Sequence, residues 1–275
     1  MEVAFSVLMS IYKKERPEWL KEALDSIFAQ SIKPSEIVLV KDGPLTEELE
    51  YVINEYSLRY PIFKFVVNEK NLGLGLSLQK GLLACSNEYV ARMDTDDTMP
   101  VERFEKQLSA LVNGHNDIVS CWSTILTEDM QTTVAVKQRP EQHEEIVKLA
   151  KRRSPVCHAG SFFRKSAVLN AGNYKHSNSF YEDYDLWIRM IMSGAKFYNV
   201  QESLYNVRTT EEQIKRRGGF NYLKVEISTF YRYYKMGFYS LKDLLLNSAI
   251  RIVVRLMPGG LRKSFLVKIW NFKKK

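Results

Sequence analysis

The sequence predicts an α/β protein built on a mainly parallel sheet with helices on both faces. In the first hundred residues, short apolar runs alternate with segments of helical periodicity. This alternation is typical of βαβ units, in which a helix joins two parallel strands. Ligands of such sheets bind beyond the carboxyl ends of the strands. A functional site is therefore expected where the apolar runs end.

The first half of the chain supplies four of these strands and the helices between them. Pro17 is typical of a first helical turn, Asp42-Gly43-Pro44 of a turn, and Thr46 of a helix cap. The predicted strands are residues 4–10, 37–40, 63–67 and 89–93, and the predicted helices are a segment from Pro17 and residues 46–60 and 76–84.

The second half is less regular, and its pattern mixes strands with helices. A helix near residues 184–193 should end at Gly194, a residue that favours the left-handed backbone at a helix end. The other predictions are helices at 101–113 and 141–151, a strand at 118–122, a hairpin at 124–137, and strands at 161–164, 196–200 and 204–208.

Composition limits the cellular setting of the protein. No apolar run reaches the length of a transmembrane helix, and the first residues lack the pattern of a signal peptide, so a cytoplasmic protein is expected. The three cysteines, Cys85, Cys121 and Cys157, are odd in number and form no CxxC pair. They are interpreted as buried free thiols rather than a disulfide framework or a zinc site.

The net charge of +8 is concentrated in one segment. Residues 241–275 hold nine Lys or Arg residues and a single acid, Asp243, whereas the preceding residues are neutral overall. We therefore divide the chain into a body, 1–210, and a basic helical segment, 211–275. Within that segment, 239–256 and 261–272 have apolar and basic faces, and Trp270 suits an interface. The pattern favours helices lying on an anionic membrane surface, with packing against the body as the alternative.

Three carboxylates follow the fourth strand directly. Asp94, Asp96 and Asp97 would repel one another without a cation, and oxygen ligands of this kind suit Mg²⁺ or Mn²⁺. The alternative is a solvated acidic turn. The strand end favours the metal site.

Four further segments are candidates for chemistry. Residues 71–75, NLGLG, let backbone approach a ligand at a helix start, although by themselves they favour a plain loop. Residues 181–187, YEDYDLW, place acids among aromatic side chains, as for a general base in a sugar pocket or for acids that complement a helix dipole. His158 lies alone. A loop with Gln213, Arg216 and Arg217 is suited to phosphate oxygens or to a solvated helix end.

Five segments together resemble family 2 glycosyltransferases, the inverting group with the GT-A fold. They are SVLMSIY (6–12), VKDG (40–43), NLGLG (71–75), ARMDTDD (91–97) and YEDYDLW (181–187), and the resemblance spans about residues 4–215. It implies a nucleotide-sugar half, 1–100, and an acceptor half, 101–210.

The resemblance also implies residue roles. Asp183 is the expected base, and Asp96 with Asp94 the expected Mn²⁺ or Mg²⁺ ligands. The nucleotide sugar is assigned to Ser10, Tyr12, Asp42, Asn71, Gly75, Arg92, Asp94 and Asp96; the acceptor pocket to Glu182, Trp187 and His158; and phosphate contacts to Gln213, Arg216 and Arg217.

The implied reaction is inverting transfer of one hexose, glucose or galactose, from a UDP-sugar. The implied acceptor is undecaprenyl-diphosphate-GlcNAc or -GalNAc, in the synthesis of bacterial O-antigen or capsule at the cytoplasmic face of the membrane. The polymer synthases of the family carry Gln-x-x-Arg-Trp, but Arg217 stands here in place of the Trp, and this favours single transfer.

Two alternatives remain at this point. A sugar-phosphate nucleotidyltransferase would use a similar sheet, but it needs a glycine-rich basic loop and residues 9–16 contain no glycine. A non-enzymatic binder of anionic surfaces would use the basic tail alone. Nucleic acid is not an expected partner, because the neutral body offers no extended basic channel.

Overall fold

The protein is an α/β structure with one central sheet. A computed structural model describes residues 3–175, 181–210 and 220–256. The strands are β1 Phe5–Ile11, β2 Glu36–Asp42, β3 Phe63–Asn68, β4 Tyr89–Arg92, β5 Ile118–Leu126, β6 Thr133–Lys137, β7 Phe162–Arg164 and β8 Phe197–Arg208. The helices are α1 Pro17–Phe28, α2 Glu47–Arg59, α3 Leu74–Ala84, α4 Arg103–Asn113, α5 His143–Ala150, α6 Lys165–Asn170, α7 Glu182–Met192, α8 Phe220–Lys235 and α9 Leu241–Leu256.

Half of the sheet is parallel, as the sequence predicts, and its strands β1 and β2 are buried on both faces. The order is β3-β2-β1-β4, with every neighbouring pair parallel. Helices α1 and α2 cover one face and α3 covers the other, so that β1 and β2 are buried along almost their whole length. Parallel register brings the carboxyl ends of β1, β2 and β4 to one edge.

The other half is mixed. Strand β7 pairs antiparallel with both β4 and β5, while β6 forms the predicted hairpin with β5. The prediction of two separate strands at 196–200 and 204–208 is wrong, because both belong to β8, which runs parallel to β5. The ladder passes from Val200 to Ser203, which leaves polar Gln201 and Glu202 outside it in a bulge.

Helix α7 covers the predicted segment and begins two residues earlier than expected. Gly194 follows it with φ of +86°, in the left-handed region that favours glycine. The sequence pattern did not identify α6 or α8. Only six residues long, α6 is too short to show periodicity.

The described part of the C-terminal segment packs on the body. Tyr184 and Ile188 of α7 share a buried cluster with Phe230 and Tyr233 of α8 and with Tyr239 beyond it. Among the described helices, none is long and apolar enough to span a bilayer. All three cysteines are buried and free, as predicted. The divisions at residues 100 and 210 stay predictions.

Candidate active site

An acidic cluster lies at the carboxyl end of β4. One carboxylate oxygen from each of Asp94, Asp96 and Asp97 lies within 4.8 Å of the other two. Burial, and then the charge of Asp94, raises the pKa of Asp96 to about 6. Burial also raises the pKa of Asp97, whose carboxylate accepts a hydrogen bond from the backbone N–H of Arg208 at 2.8 Å. Mutual repulsion of this kind is relieved by a bound cation.

The guanidinium of Arg92 lies beneath this cluster. Arg92 is fully buried, and its Nη1 donates to the carboxylate of Asp94 in an ion pair. Its Nε and Nη2 find no hydrogen-bond partner among the described residues. Buried donors are rarely left unpaired, and each costs about 1–3 kcal/mol. Arg92 therefore places a buried positive charge, with two donors unused, against the acidic cluster.

Asp42, at the end of β2, holds the loop before α3. Its carboxylate accepts hydrogen bonds from the backbone N–H groups of Leu72 and Gly73, at 2.7 and 3.0 Å. The side-chain amide of Asn71 donates to the Asp42 carbonyl at 3.3 Å. Ser10 and Tyr12 are half-buried at and just beyond the end of β1. The structure brings these residues to one edge, and their contact with the nucleotide stays a prediction.

The start of α7 approaches the same edge. A Cβ on Gly75 would lie 3.0 Å from the Lys175 carbonyl oxygen and 3.3 Å from the Cβ of Glu182, so α3 and α7 meet where a larger residue would clash. Ser154 donates to the Asp183 carboxylate at 3.3 Å. Burial raises the pKa of Asp183, and burial together with the charge of Asp183 raises that of Glu182 to about 7. Raised pKa values of this kind suit proton transfer near neutrality.

Trp187 is a buried residue of α7, and His158 packs against it. The ring of His158 packs edge-on against Trp187 with centroids 5.9 Å apart, and its Nε2 lies 3.1 Å from the hydroxyl of Tyr174. Burial and the positive charge of Arg92 lower the pKa of His158 well below its ordinary value, so the ring is neutral. Trp187 is fully buried. Their contact with an acceptor stays a prediction.

Three residues that the sequence assigns to phosphate contacts cannot be placed. Gln213, Arg216 and Arg217 lie outside the described residues. Sequence reasoning missed Glu15, whose pKa burial and the charges of Asp96 and Asp94 raise to about 8. The position of Glu15 just beyond the end of β1 is the sequence feature that could have identified it as a candidate site residue.

The end of β8 was missed as well. Arg208 donates from Nε to the Asp96 carbonyl at 2.8 Å, and the Tyr205 hydroxyl accepts from the backbone N–H of Asp94 at 3.1 Å. These partners are more than a hundred residues apart in the chain. No local pattern could connect them.

The chain belongs to glycosyl transferase family 2. The family of that name matches residues 6–171, and a related group, glycosyl transferase family group 2, matches residues 89–268. It is therefore a glycosyltransferase, and the nucleotidyltransferase alternative and the non-enzymatic one are set aside.

Two relatives match over nearly the whole chain. The Escherichia coli enzyme UDP-Gal:alpha-D-GlcNAc-diphosphoundecaprenol beta-1,3-galactosyltransferase is 36% identical over 96% of each chain. The amylovoran biosynthesis glycosyltransferase AmsE of Erwinia amylovora is 37% identical over 92% of this chain and 94% of its own.

Solved structures confirm the GT-A type of the fold. S. aureus TarS, in a complex with UDP-GlcNAc, has a TM-score of 0.64 at 15% identity. The match covers 96% of this chain and 70% of the TarS chain. The mannosyltransferase PcManGT of Pyrobaculum calidifontis, in a complex with GDP-Man and Mn²⁺, has a TM-score of 0.62 at 14% identity, covering 98% and 84%. At these identities the likeness concerns the fold.

Proposed function

We propose that this glycosyltransferase moves one hexose, galactose or glucose, from UDP to the sugar of a polyprenyl-diphosphate acceptor in surface-polysaccharide synthesis. The observation that carries the proposal is that two acidic groups lie at one edge of the sheet. Arg92 pairs with Asp94 in the cluster after β4, and α3, which follows the Asp42 loop, closely approaches Glu182, next to Asp183, at the start of α7. Donor and acceptor class follow the E. coli relative, which is similar along its full length.

The carboxylates of Asp94 and Asp96 are suited to hold Mn²⁺ or Mg²⁺. Their crowding fits a cation, since the raised pKa of Asp96 comes from burial and from the negative charge of Asp94. When bound, the metal ion supplies positive charge that stabilises the UDP leaving group. Asp97 is occupied by the backbone of Arg208 and serves to position the cluster.

The protein's own groups do the remaining work. The buried positive charge of Arg92, paired with Asp94 at the strand end, favours binding of the negatively charged diphosphate of the nucleotide sugar. Asp183 accepts the proton of the acceptor hydroxyl as that oxygen bonds to the anomeric carbon and the bond from that carbon to the UDP oxygen breaks. Attack from the opposite face inverts the centre, so an α-linked UDP-hexose yields a β-glycoside.

Such an acceptor places the enzyme beside a membrane. A polyprenyl chain stays in the bilayer, so the enzyme must work at the surface of that bilayer. The concentration of all the excess positive charge in residues 241–275 supports attachment to anionic lipid at the cytoplasmic face.

A donor screen tests the proposal. UDP-Gal, UDP-Glc, UDP-GlcNAc and GDP-Man are each incubated with Mn²⁺ and with GlcNAc or GalNAc linked through diphosphate to a short lipid. A mass gain of one hexose from UDP-Gal or UDP-Glc, and digestion of the product by a β-glycosidase, are expected. Transfer from GDP-Man or UDP-GlcNAc alone, or equal rates with the free monosaccharide as acceptor, contradicts it.

A further inference from the structure

Helix α9 turns a polar stripe toward the protein. Asp243, Asn247, Arg251 and Arg255 recur every four residues, which places them along one side of the helix. Asp243, Asn247 and Arg255 are buried against the body, and Arg251 is largely covered. An amphipathic helix of a water-soluble domain normally buries the opposite, apolar side.

The stripe is held by specific partners. Arg255 donates to both carboxylate oxygens of Glu226 in α8, at 2.7 and 2.9 Å, and Arg251 lies 3.4 Å from the same carboxylate. Glu226 is fully buried. At the other end, Asp243 accepts from Arg152 at 2.6 Å. These paired charges fix the rotation of α9 on the body, because turning the helix would leave buried charges unpaired.

The outward side of α9 is consequently apolar. At 100° per residue its exposed residues span roughly half of the circumference, and Lys242 is the basic residue among them. The exposed apolar side chains are Leu241, Leu245, Leu246, Ala249, Ile250, Ile252 and Val253. We call this set the outer face of α9.

We propose that the outer face of α9 docks into the surface of an anionic lipid bilayer, with its axis in the membrane plane. This inference rests on the proposed function, since the acceptor's polyprenyl chain lies in such a bilayer. Charge selects lipid over a second copy of the chain. The outer face itself carries Lys242, and the sequence that follows α9 holds six bases and no acid in residues 257–275. Two copies docked face to face would repel, whereas an anionic leaflet attracts.

The test compares two matched double substitutions in the full chain. Leu245→Glu with Ile252→Glu places two charges seven residues apart on the outer face. Tyr51→Glu with Leu58→Glu does the same on the exposed side of α2, where these residues are 71% and 86% exposed. Flotation is measured with vesicles of phosphatidylcholine, with and without phosphatidylglycerol. UDP binding and circular dichroism confirm that each variant folds.

The α9 variant should lose about tenfold or more in partitioning to phosphatidylglycerol vesicles, because each leucine or isoleucine would otherwise bury several methylene groups. The α2 variant should partition as the parent does. Equal partitioning of all three proteins overturns the inference. A change from dimer to monomer in the α9 variant on sedimentation, without loss of vesicle binding, also overturns it and assigns the face to a second copy. The flotation assay contains neither sugar donor nor acceptor, so its result can be interpreted even if the donor screen fails.

Discussion

Two charged regions of this protein are built on opposite principles. At the end of β4, Asp94, Asp96 and Asp97 crowd together, and burial and mutual repulsion raise the pKa values of Asp96 and Asp97. Between α8 and α9, the buried carboxylate of Glu226 is matched by the guanidinium groups of Arg251 and Arg255. In the first region the carboxylates still repel one another. In the second region the negative charge is neutralised by guanidinium groups of the protein itself.

The difference separates a binding site from a structural contact. Like charges that the fold holds close together lower the stability of the protein, and a bound cation would relieve their repulsion. Opposite charges in contact instead fix the arrangement of two helices. Substitutions should therefore act in opposite ways: neutral replacement of Asp96 should reduce activity but not stability, and neutral replacement of Glu226 should reduce stability first.

The largest effect is expected at Asp96. Asp96→Asn removes a proposed metal ligand and should lower kcat by about 10³-fold or more, because charge on the leaving UDP loses its stabilisation. The same change relieves repulsion from Asp94, so the thermal midpoint should stay equal or rise. Turnover is measured across a Mn²⁺ titration. Asp129→Asn, in the exposed turn before β6, is the control, and full activity in excess EDTA would exclude a metal role.

A smaller loss is expected at the proposed base. Asp183→Asn keeps the shape but cannot accept a proton, so kcat should fall by about 10²-fold or more while UDP affinity is retained. Asp185→Asn on the same helix is the comparison, and its turnover is referred to the folded fraction because Asp185 is buried and pairs with Arg189 and Arg232. If Asp183→Asn is active and Glu182→Gln or Asp185→Asn is inactive, the base has been assigned to the wrong position.

At Glu226 the effect should fall on stability. Glu226→Gln removes the buried carboxylate that pairs with the guanidinium of Arg255, at a cost of about 3 kcal/mol in the free energy of unfolding. Urea denaturation measures this cost, with Glu145→Gln on the exposed side of α5 as control. Turnover of the folded fraction should be retained. A loss of activity without loss of stability would place Glu226 in the active site instead.

The smallest effect concerns pH and Glu182. Its pKa is raised from 4.5 to about 7 in the folded protein, so the folded state bears a buried charge above pH 7 that it does not bear below 4.5. Stability attributable to this group therefore falls as pH rises through that interval. Glu182→Gln should raise the thermal midpoint at about pH 8, by roughly 2–4 °C for each kcal/mol relieved, and leave it unchanged near pH 4.5. An equal shift at both values contradicts the assignment.

Local patterns were sufficient for the parallel half of the sheet. Alternation of apolar runs and helical periodicity depends on neighbours in the chain, and for that reason β1 to β4 and their helices were predicted close to their observed bounds. The bulge in β8 was not predictable, because it arises from pairing with β5, some eighty residues away. The contacts of Arg208 and Tyr205 with the acidic cluster were missed for the same reason.

The sequence by itself determined the α/β class, the acidic strand end, the family and the concentration of basic residues after residue 240. These properties depend on amino-acid composition and on the spacing of residues along the chain, and neither requires knowledge of the folded structure. Only the tertiary structure decided which side of α9 faces outward. Periodicity shows that a helix has two faces, but the side that is buried depends on partners elsewhere. Here the partners are Glu226, whose buried charge pairs with Arg255, and Arg152, which pairs with the buried Asp243.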